Sequence, residues 1–214
     1  MIDAIFFNND LKKILEISKD YKYLIVLDYF ENIKNVDKFD KEVKNIDKKI
    51  LSGIILKNLN EIKIFSNVKN RKKVDLIFIE GGDLKINREA VENVFNDFLI
   101  NPFKNRRDLG FNHIFAKKAK KNKIIIAINF NDFEFKYVVN IAKICKKYKV
   151  PIAVFSFAKN FYEFKDYKSL EALLFISGYE EHEISQNRKM ILEIIEENLK
   201  KRSEKWIMPG VEII

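Results

Sequence analysis

The stretch VDLIFIEGGDLKINREAVE, residues 74–92, decides the fold. Its first seven residues are almost continuously apolar and rich in β-branched side chains, which is typical of a strand buried on both faces. A strand of that kind belongs to a parallel sheet covered by helices. The polar residues EGGD follow directly, and a helix is predicted over 87–95. This stretch therefore predicts one unit of strand, loop and helix.

The same alternation of strand and helix extends over the chain. Short apolar runs predict strands at 2–7, 23–28, 50–56, 74–80, 98–100, 123–129 and 151–157. Further helices are predicted over 112–122, 133–149 and 183–202, where apolar residues recur three and four positions apart. The segment 58–73 is compatible with another short strand. The alternation indicates an α/β fold built from parallel βαβ units.

About seven strands are compatible with a barrel or with an open doubly wound sheet, and neither periodicity nor spacing chooses between them. No GxGxxG motif follows any strand, which weighs against a dinucleotide-binding sheet. The chain has only 6 Gly and 3 Pro and no stretch with the composition of a linker. One α/β domain over residues 1–214 is therefore predicted.

The chain is basic, with 40 Lys and Arg against 31 Asp and Glu and a formal charge of +9. Such an excess favours encounter with polyanions such as nucleic acids. The alternative is a drift of composition toward Ile, Lys and Asn, which makes a protein basic without any such partner. The lone cysteine, Cys145, falls on an apolar helix face and is predicted to be a core residue.

The sequence predicts a cytoplasmic protein. One cysteine excludes an intrachain disulfide framework and suits a reducing compartment. The first residues show no signal-peptide pattern. No stretch approaches the roughly 20 apolar residues of a membrane span.

The loop after the strand at 74–80 carries two adjacent glycines, Gly81 and Gly82. Loops at the carboxyl ends of parallel strands are where α/β folds bind ligands, and bare backbone NH groups there suit a phosphate. A tight turn that requires positive φ before the next helix is the favoured interpretation.

The segment NPFKNRRDLGFNHIFAKKAKKNK, residues 101–123, gathers Arg106, Arg107 and His113 at a turn that leads into a helix. An arginine fork suits bidentate phosphate contact, and the start of a helix offers unpaired NH groups to an anion. Lys117 and Lys121 follow in a lysine-rich run. For that run alone, a solvated basic helix is the simpler interpretation, but the cluster at the turn favours phosphate recognition.

Catalytic chemistry has little support. His113 and His182 belong to no HxH or HExxH pattern, and no GxSxG motif marks a nucleophile. Asp28 and Glu80 at strand ends could hold Mg²⁺, although such residues are common in α/β proteins. The aromatic segment 157–164 could stack on bases, with packing the favoured role. We predict no catalytic residue and no metal site, and the sequence favours a binding protein.

Four short motifs occur in a specific order: GGD at 81–83, NR at 87–88, RRDLGFNH at 106–113 and PGVE at 209–212. Together with the stretches 74–92, 101–130, 147–178 and 207–214, they make the chain resemble the archaeal ribonuclease P protein component 3 family. The resemblance covers about two thirds of the chain. Leu109, Asn112 and the apolar SFAKN segment depart from the commoner family pattern.

The resemblance implies a TIM-barrel-like fold akin to polymerase-and-histidinol-phosphatase barrels, without their metal cluster. It implies a non-catalytic subunit of ribonuclease P, whose RNA requires Mg²⁺ and cleaves the 5′ leader from precursor tRNA. The implied partners are that RNA, a smaller protein subunit and further subunits. The RNA-facing candidates are Arg88, Arg106, Arg107, His113, Arg188, Lys117 and Lys121.

Two alternatives remain open at this point. One is a barrel-fold metal-dependent phosphoesterase that uses Asp28, Glu80, Asp83 and His113. The other is a protein-interaction scaffold whose basic charge is incidental. The RNA-binding hypothesis predicts that Arg106, Arg107 and His113 share one exposed rim near residues 81–83, since barrels gather such loops on one face.

Overall fold

The computed structural model describes residues 1–8, 10–47, 50–208 and 211–212. Seven of its strands form one parallel sheet in chain order. These strands are β1 (Ile2–Phe6), β2 (Tyr23–Tyr29), β3 (Ile50–Leu56), β4 (Leu76–Glu80), β5 (Phe98–Ile100), β6 (Ile125–Asn129) and β7 (Ile152–Phe155). Two short strands, β8 (Trp206–Met208) and β9 (Val211–Glu212), form a separate antiparallel pair.

Helices connect the parallel strands. They are α1 (Leu11–Ile17), α2 (Ile33–Ile46), α3 (Leu59–Phe65), α4 (Val68–Arg71), α5 (Leu84–Glu92), α6 (His113–Asn122), α7 (Phe135–Tyr148), α8 (Tyr167–Ile176) and α9 (Glu181–Lys200). A short 3-10 helix covers Phe161–Glu163. Within the described part of the chain, no helix combines the length and the apolar character that crossing a membrane requires.

The sheet curls into a nearly closed barrel. The backbone NH of Phe157 donates to the carbonyl of Ala4 (2.8 Å), and the NH of Phe6 donates to the carbonyl of Ala158 (2.9 Å). These bonds join β1 to the segment after β7. At the same seam the buried carboxylate of Asp3 accepts bonds from the backbone NH (2.7 Å) and the hydroxyl (2.6 Å) of Ser156. The predicted TIM-barrel-like α/β fold is confirmed.

Alternate residues of each strand face the barrel interior, as the pleat of a strand requires. The interior is filled by aromatic rings, with Phe78 stacked on Phe98 at a centroid distance of 4.2 Å and Phe155 packed against both. Gly53 leaves room for this packing, because a Cβ there would lie 2.6 Å from a Leu27 methyl group. A second apolar layer lies between the strands and the surrounding helices.

The amino end of the barrel is closed by the last long helix and by buried charges. Ile191, Ile194 and Ile195 of α9 join the interior cluster. Just beyond that helix, the ammonium group of Lys201 donates to Asp97 (2.9 Å), whose other carboxylate oxygen accepts a bond from Arg71 (2.8 Å). We call Arg71, Asp97 and Lys201 the amino-end ion cluster. Burial lowers the pKa of Lys201, and Asp97 opposes that shift.

The continuously apolar strands are where the sequence predicts them: 74–80, 123–129 and 151–157 contain β4, β6 and β7, all parallel. The strand suggested within 58–73 is wrong. This segment forms α3 and α4, because the side chains of Asn58 and Asn67 cap two successive short helices.

Several boundaries also differ from the sequence prediction, and two of these differences have a clear local cause. The helix expected over 87–95 begins three residues earlier, where the Asp83 carboxylate accepts bonds from the NH groups of Lys85 (2.8 Å) and Ile86 (3.1 Å). The strand expected from 123 begins at Ile125, because Lys123 ends α6 in the left-handed conformation. Pro209 and Gly210 of the PGVE motif lie outside the described residues.

Candidate nucleic-acid interface

A buried asparagine organises the loops at the carboxyl end of β4 and β5. The side-chain amide NH₂ of Asn87 donates to the carbonyls of Pro102 (2.7 Å) and Gly110 (2.9 Å). Its amide oxygen accepts a bond from the NH of Gly82 (3.0 Å). One side chain on α5 therefore holds the GGD turn, the NPF turn and the RDLG turn together.

Glycine is required where these turns meet. Gly82 and Gly110 have φ of +124° and +57°, in the region that side chains disfavour. A Cβ at Gly110 would also lie 2.1 Å from the carbonyl oxygen of Pro102. These glycines serve a tight turn, as the sequence favours, and the turn positions the arginines that follow.

Arg106 lies beside the GGD turn and is held by internal contacts. Its guanidinium donates to both carboxylate oxygens of Asp108 (2.5 and 2.9 Å) and to the carbonyl of Gly82 (3.1 Å). Its own carbonyl accepts a bond from the Tyr137 hydroxyl (3.1 Å). The guanidinium lowers the pKa of Asp108. Arg106 is thus a positioning residue of the turn, with its side chain 22% exposed.

The neighbouring cations are more available. Arg107 is exposed, as is His113 at the first position of α6, and neither has an ion pair within the described ranges. Arg88 on α5 is exposed as well, but its Nε donates to Glu92 (2.8 Å), which also pairs with Lys118. Arg107 therefore presents the least committed guanidinium at this rim.

Lys117 and Lys121 belong to a larger basic surface. A shallow groove of about 510 Å³ lies between α6 and the end of α7. Its lining, which we call the lysine groove, consists of Tyr148 and five lysines: Lys117, Lys120, Lys121, Lys147 and Lys149. As far as the structure describes the chain, none of these five lysines has a carboxylate partner.

The lysines that flank the groove are paired. Lys118, Lys123 and Lys146 contact Glu92, Glu197 and Glu183 respectively. The groove therefore gathers five ammonium groups without a carboxylate partner in the described structure, next to lysines that are paired. Such a surface attracts phosphates, and binding there releases the counterions of the nucleic acid.

Arg188 lies apart from these residues. It is on α9, where its Nε contacts the Glu171 carboxylate of α8 at 2.8 Å. The side chain lines an apolar cleft with Met1 and Leu170. The structure thus brings Arg88, Arg106, Arg107 and His113 to one end of α5 and α6, and it does not bring Arg188 there.

The mouth of the barrel contains a cavity of about 270 Å³. Aromatic rings of Phe6, Tyr29 and Phe157 form part of its wall. Glu80 and Lys104 form an ion pair at 2.6 Å on another side.

The backbone beneath this cavity is strained. Asn101 and Phe157, which both line it, have φ of +39° and +47°. Positive φ is uncommon outside glycine, and such strain is concentrated at functional sites. Asn101 is fixed there by bonds to the carbonyl of Asp132 (2.6 Å) and from the NH of Asn129 (3.0 Å).

The residues of the phosphoesterase alternative do not form one site. Asp83 caps α5, Glu80 pairs with Lys104, and Asp28 accepts a bond from the NH of Tyr29 (2.8 Å). His113 is at the start of α6. Over the ranges described, no group of three or more His, Cys, Asp or Glu residues is placed to hold a metal ion.

The remaining candidates have ordinary positions. Cys145 is buried, and burial raises the pKa of its thiol, which disfavours the reactive thiolate. His182 is exposed near Glu180. In the aromatic segment 157–164, Tyr162 is 87% exposed and Phe157 lines the barrel mouth.

Sequence reasoning missed two features of this interface. The NR motif indicates Arg88 as a candidate cation, but it does not show that the side chain of Asn87 holds three turns together. Lys147 and Lys149 are distant from α6 in sequence and join its lysines only through the packing of α7 beside it. The alternation of strand and helix, which places successive helices side by side, is the signal that could have found them.

Comparisons with known proteins point in one direction. The family model described as RNase P subunit p30 matches residues 7–205. A protein of Methanococcus maripaludis named ribonuclease P protein component 3 is 30% identical over 186 residues, which cover 80% of this chain and 78% of that protein. A protein of the same name from Methanocaldococcus jannaschii is 34% identical over 157 residues, which cover 64% of this chain and 68% of that protein.

A solved structure of archaeal ribonuclease P also contains a chain similar to this one. A chain in the cryo-EM structure of archaeal ribonuclease P with mature tRNA superposes with a TM-score of 0.80 at 27% sequence identity. The alignment covers 100% of this chain and 98% of that one.

Proposed function

The chain belongs to the RNase P subunit p30 family, and we propose that it binds and supports the catalytic RNA of ribonuclease P. In this proposal the RNA, with its Mg²⁺, cleaves the 5′ leader from precursor tRNA, and the chain alone catalyses nothing. A smaller protein subunit and further subunits complete the particle. Its proposed location is the cytoplasm, in keeping with a single reduced cysteine.

The observation that carries the proposal is the lysine groove. Five ammonium groups without carboxylate partners among the described residues line one surface between α6 and α7. The groove lysines of helix α6 follow His113 at the rim by four to eight residues, which is about 6–12 Å along the helix axis. One RNA segment that follows α6 could therefore contact both Arg107 and the groove lysines.

The arrangement suits binding without chemistry. Each lysine can neutralise a phosphate and release a counterion, which favours association without reading sequence. Phosphates that are neutralised by lysine pack closely with fewer bound cations. We therefore expect the chain to lower the Mg²⁺ concentration that its RNA needs.

The experiment is precursor-tRNA cleavage by ribonuclease P RNA, the chain and its companion subunits across a series of Mg²⁺ concentrations. We expect no cleavage without RNA and a higher Mg²⁺ requirement when Lys117, Lys120 and Lys121 are all replaced by Ala. A matched control replaces Lys12, Lys34 and Lys41, which are exposed on α1 and α2, and should leave the requirement unchanged. Cleavage by the chain alone would overturn the proposal.

A further inference from the structure

The cavity at the barrel mouth has no role in the phosphate contacts described above. It measures about 270 Å³, slightly below the roughly 300–1,000 Å³ of pockets that enclose drug-sized ligands. Its wall combines flat apolar surface, from Phe6, Tyr29 and Phe157, with the polar side chains of Glu80 and Asn129. A compact ligand with a planar apolar face and a polar edge fits such a lining.

The charges of the cavity exclude two other classes of ligand. The lining contains three carboxylates and two lysines, so it offers no excess of positive charge to a phosphate. A metal ion is disfavoured too, because the ammonium group of Lys104 lies 2.6 Å from Glu80 and 3.9 Å from Asp132. A neutral ligand suits a lining whose charges are nearly balanced.

Hydrogen-bonding capacity remains at the polar side of the cavity. Lys104 contacts Oε1 of Glu80, and the second carboxylate oxygen has no partner within the described part of the chain. The amide oxygen of Asn129 accepts a bond from the NH of Asn131 (2.9 Å), while its NH₂ group has no partner there. One acceptor and one donor group are thus available to the edge of a ligand.

The cavity and the RNA-facing rim share one loop. Asn101 and Lys104 line the cavity, and Arg106 and Arg107 follow two and three positions after Lys104. The carbonyl of Lys104 lies against Gly82, to which Arg106 also binds. Arg107 is therefore separated from the cavity lining by only two residues of the same loop.

We propose that the barrel mouth accepts one unpaired nucleobase of the RNA that the rim binds. The base stacks on the ring of Phe6, because the ammonium group of Lys57 already covers the Tyr29 ring, 3.5 Å from its centroid. The edge of the base bonds to Glu80 and Asn129. Aromatic stacking suits any base, because every base has a π-face. This inference rests on the proposed function, since the base belongs to the RNA of that proposal.

The test is ultraviolet crosslinking of the folded chain to transcribed ribonuclease P RNA, with the crosslinked residue identified by mass spectrometry. We expect crosslinks at Phe6 or Tyr29. Phe6→Leu should reduce the yield at least about fivefold, the equivalent of one stacked base. The control is Phe7→Leu, because Phe7 packs on Phe39 and does not line the cavity. Thermal unfolding confirms that each variant is folded.

The outcomes separate the two proposals. RNA that binds but crosslinks only within residues 106–121 overturns the base pocket and leaves the proposed function intact. RNA that does not bind overturns both. In a parallel arm, adenosine, guanosine, cytidine and uridine are titrated while the ring resonances of Phe6 and Tyr29 are followed by NMR. Shifts from nucleosides without crosslinks to RNA would assign the cavity to a free nucleoside and contradict an RNA base.

Discussion

Two groups of charged side chains lie at the amino end of the same barrel and differ in how their charges are compensated. In the amino-end ion cluster, the Asp97 carboxylate is shared between two buried cations, and the side chains of Arg71 and Asp97 are 0% exposed. In the lysine groove, five cations lie at the surface without a carboxylate partner among the described residues. The clusters are close, since the NH of Ile125, just after α6, donates to the carbonyl of Asp97 (2.9 Å).

This difference shows that the net charge of the chain does not indicate which of its surfaces binds RNA. A buried cation has lost its hydration and depends on its carboxylate, so the ion cluster is part of the structure. An exposed lysine keeps its hydration, so the absence of a partner costs the folded state little free energy. The basic charge that is available to RNA is therefore the part that the fold leaves unpaired and also gathers on one surface.

The largest expected effect comes from breaking the buried cluster. Asp97→Ala leaves Arg71 and Lys201 without their carboxylate and also removes the acceptor of the Ile77 NH (2.8 Å). We expect the free energy of unfolding to fall by about 3–5 kcal/mol, the usual cost of an unpaired buried charge. Urea denaturation measures the free energy of unfolding. The control is Arg107→Ala at an exposed position, which should stay within about 0.5 kcal/mol of wild type. A loss as small as the control's would show that the cluster is not structural.

A smaller effect is expected at the opposite end of the barrel, where one uncharged residue has a structural role. Asn87→Ala removes three hydrogen bonds, to Pro102, Gly110 and Gly82, and leaves those backbone groups without their partner. We expect a loss of about 1–3 kcal/mol in denaturant unfolding.

Because Asn87 holds the turn of Arg106, its replacement should also weaken RNA binding. The replacement Arg88→Ala, one position away and exposed, provides the comparison for stability. If Asn87→Ala lowered stability and left RNA affinity unchanged, the organised rim would not contribute to binding.

Asp3 at the barrel seam provides a buried carboxyl group that has no cation partner within the described ranges. Burial raises its pKa to about 7. Because the unfolded chain loses this proton near pH 4 and the folded chain near pH 7, stability falls as the pH rises between those values. The loss should be about 1.4 kcal/mol per pH unit in that window and should level off above it.

Asp3→Asn should remove this contribution, since an amide can keep the bonds to Ser156 without titrating. The measurement is urea unfolding of both proteins from pH 4.5 to pH 8. The difference in stability between them should grow with pH in favour of the variant. Parallel curves would mean that Asp3 does not titrate in this window.

Much of the fold could be predicted from the sequence because a strand buried on both faces is visible as a continuous apolar run. Residues 74–80 and 151–157 are of this kind, and both contain strands of the parallel sheet, although β7 within 151–157 is its last strand and not a central one. Barrel closure could not be predicted, since it depends on the backbone bonds of Phe6 and Phe157 across the seam. The short helices within 58–73 were missed because asparagine caps, and not apolar periodicity, define them.

The grouping of the candidate cations was predictable where these residues are adjacent in sequence. Arg106, Arg107 and His113 lie on one continuous turn, so a local pattern indicated them. The sequence could not show that Arg106 is held by Asp108 and Gly82 while Arg107 has no ion pair among the described residues. Nor could it show that Lys147 joins the α6 lysines, because that requires the packing of two helices.

The most direct test of the central claim is the salt dependence of binding to ribonuclease P RNA. Replacing Lys117, Lys120 and Lys121 by Ala removes three cations without a partner in the described structure, whereas replacing Lys12, Lys34 and Lys41 removes three from the opposite helices. The account predicts that the negative slope of log affinity against log salt becomes less steep by about two to three for the groove variant. The control variant should keep the wild-type slope. Equal slopes for the two variants would contradict the account, because the basic charge would then act without regard to its position.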